Sequence, residues 1–265
     1  MKKLLKHPIL FGFAAALFAL IFANILVSVI LIFLSAVVPL SGMAEKLCTT
    51  TLFLLLTAGF FLLVCRYGEL QVPFFGSSNS FGTCLLLSIP LAAELIFHGV
   101  NLIPVLPWKE ITVTHLVSPL LTGLCPGVSE ELIFRGLVMG NMMRLWKHKK
   151  YGISAAVLAS SLIFAALHLA GLTGQSVAET LVQGLFCIPF GLTASAVYAR
   201  TRCLTGLILI HSFFDGFLMF LKQFPAAANY SGNSMIQVGI MIFWAVWGLY
   251  LIRPSKQDEI LEQWT

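Results

Sequence analysis

Charge is scarce in this chain. Only 10% of its 265 residues are charged while 58% are hydrophobic, and the mean hydropathy is +0.94. Soluble domains carry about 25% charged residues, so this scarcity excludes a soluble globular class. Long polar stretches are also missing. The most extended, from Arg66 to Gly82, holds "FFGSSNSFG" and is too short and too rich in Gly and Ser for a separate domain. A single integral membrane domain over 1–265 is the expectation. No internal repeat pairs Gly- or Pro-broken segments between the halves, which argues against a transporter of inverted-repeat type. The six cysteines (Cys48, Cys65, Cys84, Cys125, Cys187 and Cys203) show no C-x-x-C and no paired spacing, which leaves them as small packing residues. The final residues, "EQWT", contain no cysteine and so no prenylation signal.

What the chain does have is long apolar runs. Eight can be read, near 8–40, 47–65, 84–106, 119–143, 153–171, 178–198, 204–221 and 235–252. Each is long enough, at about 1.5 Å per residue, to span a hydrocarbon core of roughly 30 Å. The predicted fold is an all-α polytopic bundle of about eight transmembrane helices. Lys2, Lys3 and Lys6 precede the first run like a secretory signal, but the run continues without a well-placed small-residue cleavage site, as a retained anchor does.

Lysine and arginine placement tests the count. With the N-terminus inside, Lys2, Lys3, Lys6, Arg66, Arg144, Lys147, Lys149, Lys150, Arg200, Arg202, Arg253 and Lys256 fall in cytoplasmic segments, and only Lys46, Lys109 and Lys222 fall outside. Both termini are therefore expected in the cytoplasm, of a bacterial plasma membrane given the compact loops. The +5 formal charge is a topology signal and implies no nucleic acid. The tail "SKQDEILEQWT" reads as a short cytoplasmic extension.

Against this background the stretch "PGVSEELIFRG" places Glu130, Glu131 and Arg135 in an apolar run. An ionisable group at bilayer depth costs about 2.5 to 3.5 kcal/mol on insertion scales, so each asks for a partner. Glu131 and Arg135 stand i,i+4 with the acid first, the favourable order on one helix face. Glu130 points about 100° away, and Phe134 one turn on offers it no charge, so its partner must lie on another helix. Pro126-Gly127 is a candidate break, with Ser129 as an N-cap and Glu130 near a helix start. His168, His211 and Asp215 sit in later runs at comparable depth, roughly 12 to 24 Å from the basic ends, so one polar cavity could hold all four. Phe164 shares a face with His168, and Asp215 with His211, where a carboxylate one turn on can fix the ring's tautomer or keep it protonated. Glu94 and His98 have the same spacing and can satisfy each other.

In this order and on apolar segments, E-E-x-x-x-R (Glu130, Glu131, Arg135), F-x-x-x-H (Phe164, His168) and H-x-x-x-N/D (His211, Asp215) resemble the CPBP family. This family comprises the CAAX proteases and bacteriocin-processing proteins, also called type II CAAX prenyl endopeptidase-like or Abi proteins. The resemblance covers roughly 119–216, the motif-bearing core. It implies an intramembrane endopeptidase in which Glu130 and His168 activate water and His211 with Asp215 form an oxyanion site, while Glu131, Arg135 and Phe164 orient or support. Many members have Asn where this chain has Asp215, and an ionised Asp cannot donate to an oxyanion. Either Asp215 is protonated by burial, or it holds His211 as an imidazolium donor. The implied partners are a peptide or protein substrate at the membrane and the bilayer. No cofactor is expected, with zinc on a Glu/His/His set as the alternative.

Other intramembrane protease chemistries lack their motifs, since there is no H-E-x-x-H, no G-x-G-D and no G-x-S-G; Gly127-Val128-Ser129 is followed by Glu130. Outside enzymes, the competing readings are a non-catalytic scaffold or peptide-binding immunity protein of the same fold, and a proton-coupled transporter.

Overall fold

A computed structural model of the chain describes residues 1–40, 42–225 and 234–264. Among them there is no strand, and helix follows helix throughout. The helices are α1 (Lys2–Leu5), α2 (Pro8–Leu17), α3 (Ala23–Val37), α4 (Gly42–Gly68), α5 (Ser80–Leu87), α6 (Ala92–Leu102), α7 (Val113–Glu130), α8 (Gly140–Trp146), α9 (Gly152–Leu167), α10 (Val177–Thr201), α11 (Leu204–Lys222), α12 (Ser234–Leu251) and α13 (Gln257–Gln263). Six described rods are long and apolar enough to cross a membrane: Gly42–Gly68, Ser80–Val105, Gly152–Ala170, Val177–Thr201, Leu204–Lys222 and Ser234–Leu251. The first and fourth predicted spans are each built of two α-helices joined by π-helical turns, α2 to α3 through Phe18–Phe22 and α7 to α8 through Glu131–Met139.

The rods reverse direction one after another, so the chain has a terminal face and a distal face. At the terminal face Asn141 Nδ2 donates to the Leu5 carbonyl at 3.0 Å, and Arg144 Nη1 to that of Gly68 at 3.2 Å. The tail, read from the sequence as a short cytoplasmic extension, is docked onto this layer. Trp264 Nε1 donates to the Ala199 carbonyl at 2.9 Å, Arg202 reaches the Gln263 carbonyl at 2.8 Å, and Lys147 donates to the Trp264 carbonyl. An amphipathic turn ending in a tryptophan supplies both the apolar body and the N–H that this docking needs.

The most extensive helix pairing is α7 with α11, and small residues set it. Gly123 and Gly127 are four apart, as are Ser212 and Gly216, and the two pairs face each other. A Cβ on Gly123 would run into the Gly216 backbone, and one on Gly127 into Ser212. With no side chain between them the backbones approach closely, the usual device where lipid gives helices no hydrophobic reason to associate. This crossing overturns the expected break at Pro126-Gly127. Helix α7 runs through both Pro119 and Pro126, and Ser129 caps nothing, its hydroxyl donating instead to the Cys125 carbonyl at 2.7 Å. Glu130 is therefore at the C-terminal end of an α-helix, where the chain passes into the π-helical segment. All nine residues of that segment are buried.

Candidate active site

Glu131 is one turn beyond Gly127, and His211 adjoins Ser212, so the glycine-lined crossing presses these two against each other. His211 Nδ1 lies 2.7 Å from Glu131 Oε1. The same oxygen is 3.0 Å from Arg135 Nη1, which makes the predicted i,i+4 ion pair a triangle closed by a histidine from another helix. Glu131 and Arg135 are fully buried. The guanidinium lies over the Phe164 ring at 4.7 Å and reaches the Gly191 carbonyl at 3.5 Å, so the cation is held by charge, ring and backbone together.

The other nitrogen of His211 faces two carboxylates, Asp215 Oδ2 at 3.5 Å and Glu130 Oε2 at 3.8 Å. A ring bearing both N–H groups can donate to carboxylate oxygens on both sides. Glu130 and Asp215 keep part of their side chains accessible, where Glu131 has none. Two adjacent glutamates thus take opposite positions, one locked in the protein and one turned to open space.

That space is a cavity of about 610 Å³, within the usual range for ligand sites. Glu130, His168, His211 and Asp215 all line it, with Phe164, Phe190 and Phe214 among its walls. His168 sits where α9 ends, and its Nδ1 is 2.9 Å from the Phe164 carbonyl. A carbonyl can only accept, so Nδ1 carries the proton, and in the neutral ring Nε2 bears the lone pair. Phe164 also packs edge-on to His168 at 4.7 Å between ring centroids. Glu179 in the first turn of α10 and Lys222 in the last turn of α11 line the cavity, so it reaches the distal face, away from both termini.

Sequence reasoning missed several lining groups, Cys187, Gln183 and Phe190 among them. The Phe190 ring packs at a tilt against the His211 ring, 4.9 Å between centroids. Nothing in the local sequence marks them, since they come from a helix with no motif of its own. The four-residue spacing of small residues on α7 and α11 was the legible signal, and it identifies the pair of helices that must meet.

Residues 112–217 match the family model described as type II CAAX prenyl endopeptidase Rce1-like. That segment is similar to the CAAX proteases. The matched stretch contains Glu130, Glu131, Arg135, Phe164, His168, His211 and Asp215, and the chain is an integral, multi-pass membrane protein. No curated protein and no solved structure matches the chain.

A zinc ion in this segment would need three protein ligands. Among the described residues no three His, Cys, Asp or Glu side chains are grouped to hold a metal. Both histidines engage Nδ1, one with Glu131 and one with the Phe164 carbonyl, which leaves Nε2 as the nitrogen a metal would take.

Proposed function

We propose that this protein is a CAAX-protease-like endopeptidase that hydrolyses a peptide bond within or at the edge of the membrane, using water activated by Glu130 and His168. The observation that supports this most strongly is the contrast between neighbouring acids: Glu131 is consumed by Arg135 and His211, while Glu130 faces a cavity shared with His168, His211 and Asp215.

A water held between the Glu130 carboxylate and the lone pair of His168 Nε2 attacks the carbonyl carbon and gives its proton to Glu130. The carbonyl oxygen becomes an oxyanion and is met by the Nε2–H of His211, whose ring Glu131 holds in place from the other side. When the C–N bond breaks, Glu130 returns the proton to the departing nitrogen. The products are a carboxylic acid and an amine, which become carboxylate and ammonium when the acid's proton passes to the amine, and no covalent intermediate forms. In this scheme Asp215 needs no proton of its own, because as a carboxylate it accepts from His211. That accounts for Asp in a position where the family resemblance expects Asn.

With both termini in the cytoplasm of a bacterial plasma membrane, as the lysine and arginine distribution favours, the cavity receives peptides from the outer side. The substrates are membrane-associated or exported peptides, and bacteriocin maturation or self-immunity is one setting for them. The test is to reconstitute the purified protein with a panel of membrane-associated peptides and compare wild type with Glu130→Ala and His168→Ala, with and without a chelator. Cleavage lost in both variants and indifferent to the chelator is the expected result. Undiminished cleavage by Glu130→Ala overturns the mechanism, and chelator sensitivity reversed by zinc replaces it with a metal-dependent one.

A further inference from the structure

Helix α7 lines two cavities. Pro126 and Glu130 belong to the one described above, whereas Thr114, Ser118, Thr122 and Cys125 line another, of about 620 Å³, against the first turns of α4. Glu45, Lys46, Thr49 and Thr50 form its facing wall. Thr114, Ser118 and Thr122 recur every four residues, as do Glu45 with Thr49 and Lys46 with Thr50, so each helix presents a polar stripe. The cavity begins at Gly42, where the Gly42–Gly68 rod starts and a membrane span meets the headgroups, and Thr50 lies about 12 Å further in. Its floor is apolar, because Cys125 packs against the buried cluster of Ala23, Val27 and Phe53.

Lys46 is partly buried at this wall, and its ammonium donates to the Ser118 hydroxyl. Among the described residues no carboxylate pairs with it, and the exposed Glu45 beside it makes no ion pair either. Ser118 accepts from Lys46 and so keeps its own O–H to give. Thr50 is 7% exposed, and its hydroxyl has no hydrogen-bond partner among the described residues. Thr49 and Thr122 have already given their protons to carbonyls four residues back, at 2.7 and 2.8 Å. The cavity therefore holds one cation with a neutral partner, two hydroxyl donors beside it and an unmatched carboxylate. Polar groups placed like this inside a protein are ordinarily satisfied, by the protein or by what it binds.

We propose that this cavity binds the headgroup of phosphatidylethanolamine, with the phosphate at Lys46, Ser118 and Thr50 and the amine at Glu45. A phosphodiester carries one negative charge and only accepts hydrogen bonds, which suits an ammonium flanked by two hydroxyl donors, while a primary ammonium brings the N–H groups that a carboxylate accepts. A headgroup with a phosphate but no amine leaves Glu45 unmatched and close to a like charge. A trimethylated amine has no N–H to give. The apolar floor receives the first carbons of an acyl chain. Bound there, the lipid bridges α4 and the outer half of α7, and the site does not depend on the chemistry at Glu130.

The experiment uses full-length protein in detergent, washed free of co-purified lipid, and counts bound lipid by native mass spectrometry. Phosphatidylethanolamine, phosphatidylcholine and phosphatidylglycerol with the same acyl chains are titrated separately, and inorganic phosphate is added as a competitor. Wild type should take up one equivalent of the ethanolamine lipid about tenfold or more tightly than either other lipid, and phosphate should not displace it. Lys46→Gln should weaken that binding by about ten- to a hundredfold, and Glu45→Gln should abolish the margin over phosphatidylglycerol, both with the thermal transition of the wild type. Equal binding of the three lipids by wild type, or tighter binding of phosphatidylglycerol, overturns the assignment whether or not the variants fold. Displacement by free phosphate at matched concentration overturns the lipid as the source of the phosphoryl group. Unchanged affinity in a folded Lys46→Gln overturns the site itself.

Discussion

At the terminal face the bundle is filled and stapled: Leu5, Gly68, Asn141, Arg144, Ala199 and Trp264 are tied by hydrogen bonds between segments far apart in sequence. Toward the distal face lie, between the helices, the cavity with Glu130 and His168 and its smaller neighbour with Glu94. The charges divide in the same way. Arg135 and Glu131, in the filled half, are fully buried and spend themselves on each other and on His211. Glu130 and Asp215, at the boundary, stay partly accessible. A hydrolytic site in lipid needs both conditions, a rigid layer that fixes ring and carboxylate directions and an open layer that admits water and a chain.

Substitutions should separate the two halves. The largest effect is expected at Arg135→Met, which leaves Glu131 buried without its cation and should cost about 3 to 5 kcal/mol together with all activity, measured as a lowered thermal transition in detergent. Glu130→Gln should lower turnover by about 10²- to 10⁴-fold and leave that transition where it was, as peptide cleavage and a parallel melt would show. Trp264→Ala should do the reverse, destabilising by about 3 kcal/mol through lost packing against Tyr198 and the lost bond to Ala199, with normal cleavage rates at low temperature. The smallest change belongs to Asp215→Asn, about tenfold or less in kcat, because Glu131 still holds the far nitrogen of His211. If Glu130→Gln melts early, or if Trp264→Ala loses activity while still folded, the division between a clamping half and a working half is wrong.

How far the sequence foretold this depends on the range of the interaction. The Glu131–Arg135 pair and the Glu94–His98 pair were legible because both partners sit on one helix at a fixed spacing. The motif-bearing core at 119–216 was legible through family likeness, and the family match at 112–217 encloses it. The tie between Glu131 and His211 was not legible, since the partners are 80 residues apart and only the crossing of α7 with α11 brings them together. His168 likewise takes its proton geometry from a backbone carbonyl, that of Phe164, which no side-chain pattern announces. Pro126 misled for a related reason. A proline inside a membrane helix is tolerated when neighbouring groups re-satisfy the backbone, and here the close packing of α11 keeps the rod intact.

The opposed small residues of α7 and α11 also act as a gauge. Because Gly127 stands four positions before Glu131 and Ser212 immediately follows His211, one residue inserted between Gly127 and Glu130 would rotate both acids by about 100°. The loops joining these helices are free to lengthen over evolutionary time, whereas those two short intervals are not.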